Sequence, residues 1–270
     1  MSERPLAVIT GASSGLGATF ARKLAQRGHD LLLIARRQER LRALAGELAD
    51  TYNISAEALI ADLTLDADLE RVADRIGNAP ALALLVNNAG FGAMGYFFES
   101  DIDVQMRMHR LHVLATVRLT HAALANLVPR RHGGVINVSS VAGFMIGAQN
   151  VSYCATKAWM NNFTQSLAVE LNTKKSQVKV QALCPGFTLT EFHDTLGMDR
   201  SGVRKSLWLT ADFVVEQSLL GLEAGELFVI PGWRYKAIVF ALRWLPDPAL
   251  RVAARFAARR RRPTETAPRN

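Results

Sequence analysis

Apolar residues fall along this chain in short, nearly continuous runs. Between the runs they recur every three or four positions. The runs are "LAVIT" (6–10), "DLLLIA" (30–35), "AEALIAD" (56–62), "LALLVNN" (82–88), "GVINVSS" (134–140), "VKVQALC" (178–184) and "ELFVI" (226–230). Strands covered on both faces of a parallel sheet are apolar on both sides, so most of these runs read as strands of that kind. The intervening pattern predicts helices near 15–28, 37–50, 66–77, 101–128, 151–173 and 211–224. This β-α-β-α rhythm predicts an α/β fold, a single doubly wound parallel-sheet Rossmann domain over 1–232. No internal repeat or low-complexity linker interrupts that span.

Length and composition agree with this picture. The 270 residues are 49% hydrophobic and 21% charged, enough for one large domain with a substantial core. Two cysteines, Cys154 and Cys184, cannot build a disulfide framework, which predicts a reducing, cytoplasmic setting. The opening "MSERPLAVIT" has no basic segment followed by an apolar one, so no signal peptide is expected. No run of about 20 apolar residues occurs, and no membrane-spanning helix is expected.

Charge changes the picture at one end. The formal net charge is +8, yet residues 1–232 hold 22 Lys+Arg and 22 Asp+Glu, while 233–270 hold 10 and 2. A body without net charge argues against nucleic-acid binding. Residues 233–262 are split by Pro246 and Pro248 into two helix-like pieces. In the second piece Arg251, Arg255, Arg259 and Arg262 share a face, with Val252 and Phe256 beside it. Trp233, Tyr235 and Trp244 suit a lipid–water interface. These features predict a basic amphipathic helical tail over 233–262 in peripheral contact with an anionic membrane surface, and a disordered end over 263–270. They also fit a helix that packs against another subunit.

Candidate chemistry begins at the first turn. Strand one ends in Thr10-Gly11-Ala12-Ser13-Ser14-Gly15-Leu16-Gly17. Glycines at a strand-to-helix turn let the backbone approach a pyrophosphate, and the helix N-terminus offers it unpaired N–H groups. The spacing is G-x-x-x-G-x-G rather than the commoner G-x-G-x-x-G. Strand two ends in Ala35-Arg36-Arg37, with no carboxylate before Glu39 to hold a ribose 2′-hydroxyl. Arg36 and Arg37 suit a 2′-phosphate, which predicts NADP(H), although both also fit the start of a solvated helix. Further on, Tyr153 and Lys157 are spaced to lie one turn apart on a helix.

Taken in order, these residues resemble the short-chain dehydrogenase/reductase family over about 1–232. "TGASSGLG" (10–17) is similar to its glycine motif, and "NNAG" (87–90) to its strand-four motif. "YCATK" (153–157) resembles its Tyr-x-x-x-Lys, and "PGFTLT" (185–190) its Pro-Gly-x-x-x-Thr segment. Ser140 stands 13 residues before Tyr153, like the family's serine. The resemblance implies hydride transfer between nicotinamide and a carbonyl or secondary alcohol. Tyr153 is then the acid/base, Lys157 lowers its pKa and holds the ribose, and Ser140 bonds the substrate oxygen. It implies dinucleotide contacts from Gly11, Ser13, Ser14, Gly15, Leu16, Gly17, Asp62, Leu63, Asn88, Ala89, Gly90, Pro185, Gly186, Thr188 and Thr190. It also implies a homodimer or homotetramer built on the long fourth and fifth helices.

One position departs from the family. Its helix four usually carries an asparagine that holds a water of the proton relay, and "RLHVLATV" (110–117) has His112 instead. Histidine could keep the relay and add pH sensitivity, or simply be packed in the helix, or leave the relay to a backbone carbonyl nearby. His112 and the basic tail are the support for a second reading, a catalytically weakened dinucleotide-binding or membrane-surface protein.

Remaining candidates narrow the field. Cys154 and Cys184 read as packed residues, His109, His121, His132 and His193 lack ligand-like company, and Ser139-Ser140 has no G-x-S-x-G elbow. Phe187, Phe192, Leu196, Met198, Leu207 and Trp208 are expected over the substrate. With Phe91, Met94, Phe144, Met145 and Ile146 they predict a hydrophobic pocket for a 3-oxoacyl, steroid-like or other lipid-like substrate.

Overall fold

The structure is a computed structural model that describes residues 4–192, 203–246, 248–252 and 254. Six strands fall within the apolar runs: β1 (Leu6–Thr10), β2 (Asp30–Ala35), β3 (Ala56–Ile60), β4 (Leu82–Asn87), β5 (Gly134–Val138) and β6 (Lys179–Leu183). Two-residue strands follow as β7 (Thr188–Leu189), β8 (Leu209–Thr210) and β9 (Phe228–Val229). The main sheet is parallel in the order β3-β2-β1-β4-β5-β6-β9, and β7 pairs with β8 apart from it. The order turns back between β1 and β4, which places a crevice beyond the carboxyl ends of those strands.

The helices are α1 (Gly15–Gln26), α2 (Gln38–Tyr52), α3 (Asp66–Gly77), α4 (Ile102–His109), α5 (Thr116–Arg130), α6 (Val151–Thr173), α7 (Ala211–Ala224) and α8 (Trp233–Trp244). Strand side chains alternate in direction, so the near-continuous runs feed two cores at once. Ile9 and Leu33 join Phe20, Leu24 and Val214 on one face, while Val8 and Leu32 join Val72, Leu85 and Leu119 on the other. All ten are essentially excluded from solvent.

Two expectations change here. The single helix expected over 101–128 is α4 and α5 joined by a π-helical stretch, Arg110–Ala115. Its i→i+5 turns accommodate an extra residue, and His112 lies inside them. The continuous helical run Ile102–Arg130 reaches a mean hydropathy of 1.3 over its most apolar window. It packs against α3 and α6 as part of the domain.

The helix expected as the first part of a separate tail is α8, and it is docked on the body. Tyr235 and Val239 face inward and are buried, so Tyr235 is not an interfacial aromatic. Trp233 and Trp244 remain exposed. Residues 248–252 are helical and carry Arg251 and Val252, whereas Arg255, Phe256, Arg259 and Arg262 lie outside the described residues.

Candidate active site

The first turn is built so that backbone can approach backbone. Gly11 takes φ +67°, and a Cβ there would lie 2.9 Å from Ala89 Cα. A Cβ on Gly17 would lie 2.3 Å from the Gly11 carbonyl oxygen. The N-cap of α1, Ser14, makes no side-chain cap bond, which leaves the helix's first N–H groups to an anion. Such a side-chain-free cradle at an uncapped helix N-terminus fits the pyrophosphate of a dinucleotide.

Thr10 ties this turn to the end of β4, a role its apolar surroundings hid. Its Oγ1 accepts the N–H groups of Asn88 (2.9 Å) and Ala89 (3.0 Å). Asn88 Nδ2 donates to the Thr10 carbonyl at 2.8 Å. Leu16 packs against the core beneath the turn, and Thr190 lies 3.3 Å from where a Gly15 Cβ would stand.

The adenine end gathers Arg36, Arg37 and Asp62. The Arg37 guanidinium donates to Ser13 Oγ at 3.1 Å, to Ser14 Oγ, and to Glu191 at 3.0 Å. Arg36 is 71% exposed at its side chain and stands 3.5 Å from Asp62. Partial burial works against the charged form of Asp62, but bonds from the Thr64 N–H and hydroxyl, with Arg36, outweigh it and hold the carboxyl below its ordinary value. Leu63 next to it is buried.

Tyr153 and Lys157 lie one turn apart near the start of α6, facing the end of β5. The Ser140 hydroxyl donates to the Pro185 carbonyl at 3.4 Å, accepts the Ala142 N–H at 3.1 Å, and stands where it favours the ionised form of the Tyr153 phenol. Lys157 Nζ donates to the Val138 carbonyl at 2.7 Å and sits 5.7 Å from the centre of the Tyr153 ring. Burial pushes the Tyr153 phenol up to about 12, against the pull of Ser140. Burial likewise lowers Lys157 to about 8. This corrects the expectation that Lys157 depresses the phenol in the chain by itself. Desolvation is the largest effect on both groups.

Ser139 points away from Ser140, and its hydroxyl donates to the Lys157 carbonyl at 3.0 Å. Cys184 is buried behind the site, with its thiol raised to about 12 by burial. Cys154 is buried as well.

His112 is fully buried within the π-helical stretch, and both of its ring nitrogens are engaged. Nε2 accepts the Phe91 N–H at 3.2 Å, so the ring proton sits on Nδ1, 2.9 Å from Thr156 Oγ1. That hydroxyl donates onward to the Tyr153 carbonyl at 3.0 Å. A Cβ on Gly90 would stand 2.8 Å from His112 Nε2, so the last residue of "NNAG" must be small. Burial, then the charges of Lys157 and His109, lower the His112 pKa well below its ordinary 6.5. His112 is therefore a neutral strut beneath Tyr153, which among the readings left open favours a histidine packed in the helix.

Two further features were not singled out from sequence, and a third, Tyr235, was read there only as an interfacial aromatic. Asn87 and Asn137, opposite each other on β4 and β5, bond at 2.9 Å and continue to Thr120 (3.0 Å) and Thr164 (2.9 Å). Buried polar groups in apolar strands need such partners, which was the available signal. Thr156 gave none, because its role depends on a distant histidine. Tyr235 from α8 lies over Gly186 and reaches the loop that leaves Pro185.

On the substrate side, the Phe192 and Tyr153 rings are 5.9 Å apart, and Phe91 lies 6.2 Å from His112. Phe144 does not join them: it packs on Phe228 under the guanidinium of Arg243. Met94, Met145 and Ile146 are exposed. Thr188 is buried and its hydroxyl donates to the Gly186 carbonyl at 3.0 Å. Leu196, Met198 and His193 lie outside the described residues.

Comparison with known proteins agrees with this arrangement. The family model for short chain dehydrogenases matches residues 5–201. A short-chain dehydrogenase from Sphingobium yanoikuyae, solved in complex with NADPH, is 36% identical with a TM-score of 0.81, covering 98% of this chain and 100% of that one. The bulky-bulky ketone specific alcohol dehydrogenase from Comamonas testosteroni is 31% identical with a TM-score of 0.77, covering 98% of each chain. The 3-oxoacyl-(acyl-carrier-protein) reductase of Aquifex aeolicus is 30% identical over 187 residues, 69% of this chain and 75% of that protein.

Proposed function

The chain belongs to the short-chain dehydrogenase family of nicotinamide-dependent oxidoreductases, and on that premise we propose that it interconverts a bulky hydrophobic ketone and its secondary alcohol with NADP(H). The observation that carries this reading is the Ser140–Tyr153–Lys157 group at the carboxyl end of β5, beside a turn shaped for a dinucleotide. A nicotinamide held beside this group would supply or accept the hydride. Tyr153, kept protonated by burial, donates its proton to the carbonyl oxygen as charge develops there, and Ser140 bonds the same oxygen. Lys157, one turn away, favours the phenolate left behind.

Arg36 supports the phosphorylated dinucleotide, since its guanidinium is exposed at the end of β2 where a 2′-phosphate would lie. Phe91, Phe192, Met145 and Ile146 support an apolar substrate. The specificity of the Comamonas relative for bulky ketones points the same way. The test is NADPH oxidation against a panel of aryl alkyl and 3-oxoacyl ketones, with Tyr153→Phe in parallel. Turnover that survives in Tyr153→Phe would refute the assignment.

Two finer readings accompany this one. Ile102, Met106, Leu114, Val117 and Val169 leave an exposed apolar face on the α4–α5 run and α6, which supports a homodimer or homotetramer built on those helices. Light scattering that gives the mass of one chain at micromolar concentration would end that idea. Trp233, Phe240 and Trp244 form an exposed stripe on α8, next to a segment holding most of the protein's excess positive charge. This supports peripheral contact with anionic lipid, worth about 1 kcal/mol per basic residue near the surface. Liposome flotation of the full chain decides it, and recovery in the soluble fraction with phosphatidylserine vesicles speaks against it.

A further inference from the structure

The chain leaves the sheet at Pro185, forms β7, and returns through Leu207 and β8. Departure and return are held together by Leu209 N–H to the Phe187 carbonyl (2.9 Å), by the β7–β8 pairing, and by the Phe187 and Trp208 rings at 5.5 Å. A further link comes from α8. The Tyr235 hydroxyl accepts the Phe187 N–H at 2.9 Å and donates to the Leu207 carbonyl at 2.7 Å. One phenol thus bridges both arms of the excursion. Burial raises its pKa, so the donor is retained.

The ring fills the space over Gly186. A Cβ there would stand 2.0 Å from the Tyr235 ring. Gly186 has no positive φ, so glycine is required here by the aromatic face and not by the backbone. The arm that Tyr235 grips continues through Thr188 and Thr190 to Phe192, whose ring lies 5.9 Å from that of Tyr153.

We infer that Tyr235 is a positioning residue for substrate binding: it fixes the 187–192 arm against the Tyr153 site, and so makes α8 part of the substrate-binding apparatus. This rests on the proposed carbonyl chemistry for its kinetic meaning, while the hydrogen-bond bridge itself can be tested without any substrate.

The experiment uses full-length protein loaded with NADPH, comparing wild type with Tyr235→Phe, which removes only the hydroxyl. Amide exchange at Phe187 should quicken about tenfold, the loss of one ordinary hydrogen bond, while peptides from α1 stay unchanged. KM for the aryl alkyl ketone that wild type reduces fastest should rise roughly five- to tenfold, with kcat changed less than about twofold. Unchanged exchange at Phe187 overturns the bridge, and faster exchange with unchanged KM overturns the positioning role. If Tyr153→Phe is as active as wild type, or no ketone is reduced, the proposed function has failed; Phe187 exchange then decides the bridge alone.

Discussion

His112 Nδ1 lies 2.9 Å from Thr156 Oγ1, and that hydroxyl passes the bond to the Tyr153 carbonyl. The π-helical stretch and the first turn of α6 are thereby joined directly beneath the candidate acid. The Phe91 N–H on Nε2 fixes the tautomer, and burial makes the charged imidazolium costly.

The first prediction follows from that cost. His112 titrates well below 6.5 when folded and near 6.5 when unfolded. The unfolded chain then binds more protons below pH 6.5, so this histidine's contribution is complete above that pH and is lost as pH falls. The slope approaches about 1.4 kcal/mol per pH unit. Urea unfolding of wild type between pH 6.5 and 5 should be steeper in pH than that of His112→Asn, and parallel curves would show that the residue carries no linked proton.

Reduction should also fall at alkaline pH. Lys157 is brought down to about 8 by burial, so its charge is present below that value and lost above it. Without the charge the phenolate is less favoured. The rate of ketone reduction should drop as pH rises through about 8, and a profile flat to pH 10 would contradict it. Lys157→Ala should lose activity by roughly 10²–10⁴-fold at neutral pH.

The glycine turn has no room for a methyl. In Gly17→Ala the new Cβ meets the Gly11 carbonyl at 2.3 Å, backbone that cannot swing aside. Fluorescence titration should show NADPH affinity reduced at least about tenfold, with stability lower by about 1–3 kcal/mol. Wild-type affinity would mean that the cradle does not hold the dinucleotide.

Arg36 and Arg37 should separate under mutation. Arg36 is the more exposed, whereas Arg37 braces Ser13, Ser14 and Glu191. Arg36→Ala should weaken NADPH roughly 10- to 100-fold, the span of a charge-assisted bond, with little effect on NADH. Arg37→Ala should weaken both dinucleotides. Equal losses for NADPH and NADH in Arg36→Ala would remove its assigned role.

The Asn87–Asn137 pair is suited to a double-mutant cycle. Either asparagine changed to leucine strands a buried partner, at about 1–3 kcal/mol. The double change strands fewer groups than the two single changes together, so its cost should fall below their sum. Strict additivity in urea unfolding would show that the two side chains are not coupled.

The sheet was legible because burial on both faces writes unbroken apolar runs such as "DLLLIA", and because glycines mark the first crossover. Tyr153 and Lys157 were legible because both lie on one turn of one helix. Other features depend on residues far apart in the chain. Tyr235 meets Phe187 across 48 positions, and His112 meets Thr156 across 44. No local pattern distinguishes a buried tyrosine of this kind from one facing lipid. The π-helical stretch was also invisible, since "RLHVLATV" has the propensities of an ordinary helix and its widened turns accompany tertiary contacts around Gly90 and Phe91. The expected depression of the Tyr153 phenol failed because proximity to a cation was weighed without desolvation.

That π-helical stretch, Arg110–Ala115, keeps the angular phase between the two halves of a long helix. One residue of an α-helix corresponds to about 100° of rotation. Deleting one residue there would let the segment relax to regular α-helix, and α5 is anchored in the core by Leu119, Ala123 and Leu127. The widened turn absorbs one extra residue while α4 and α5 keep their phase, so buried Met108 would stay inside after the deletion. A single-codon deletion would thus act on the histidine strut under Tyr153 and leave unchanged the direction in which the chain presents its apolar face to a second copy.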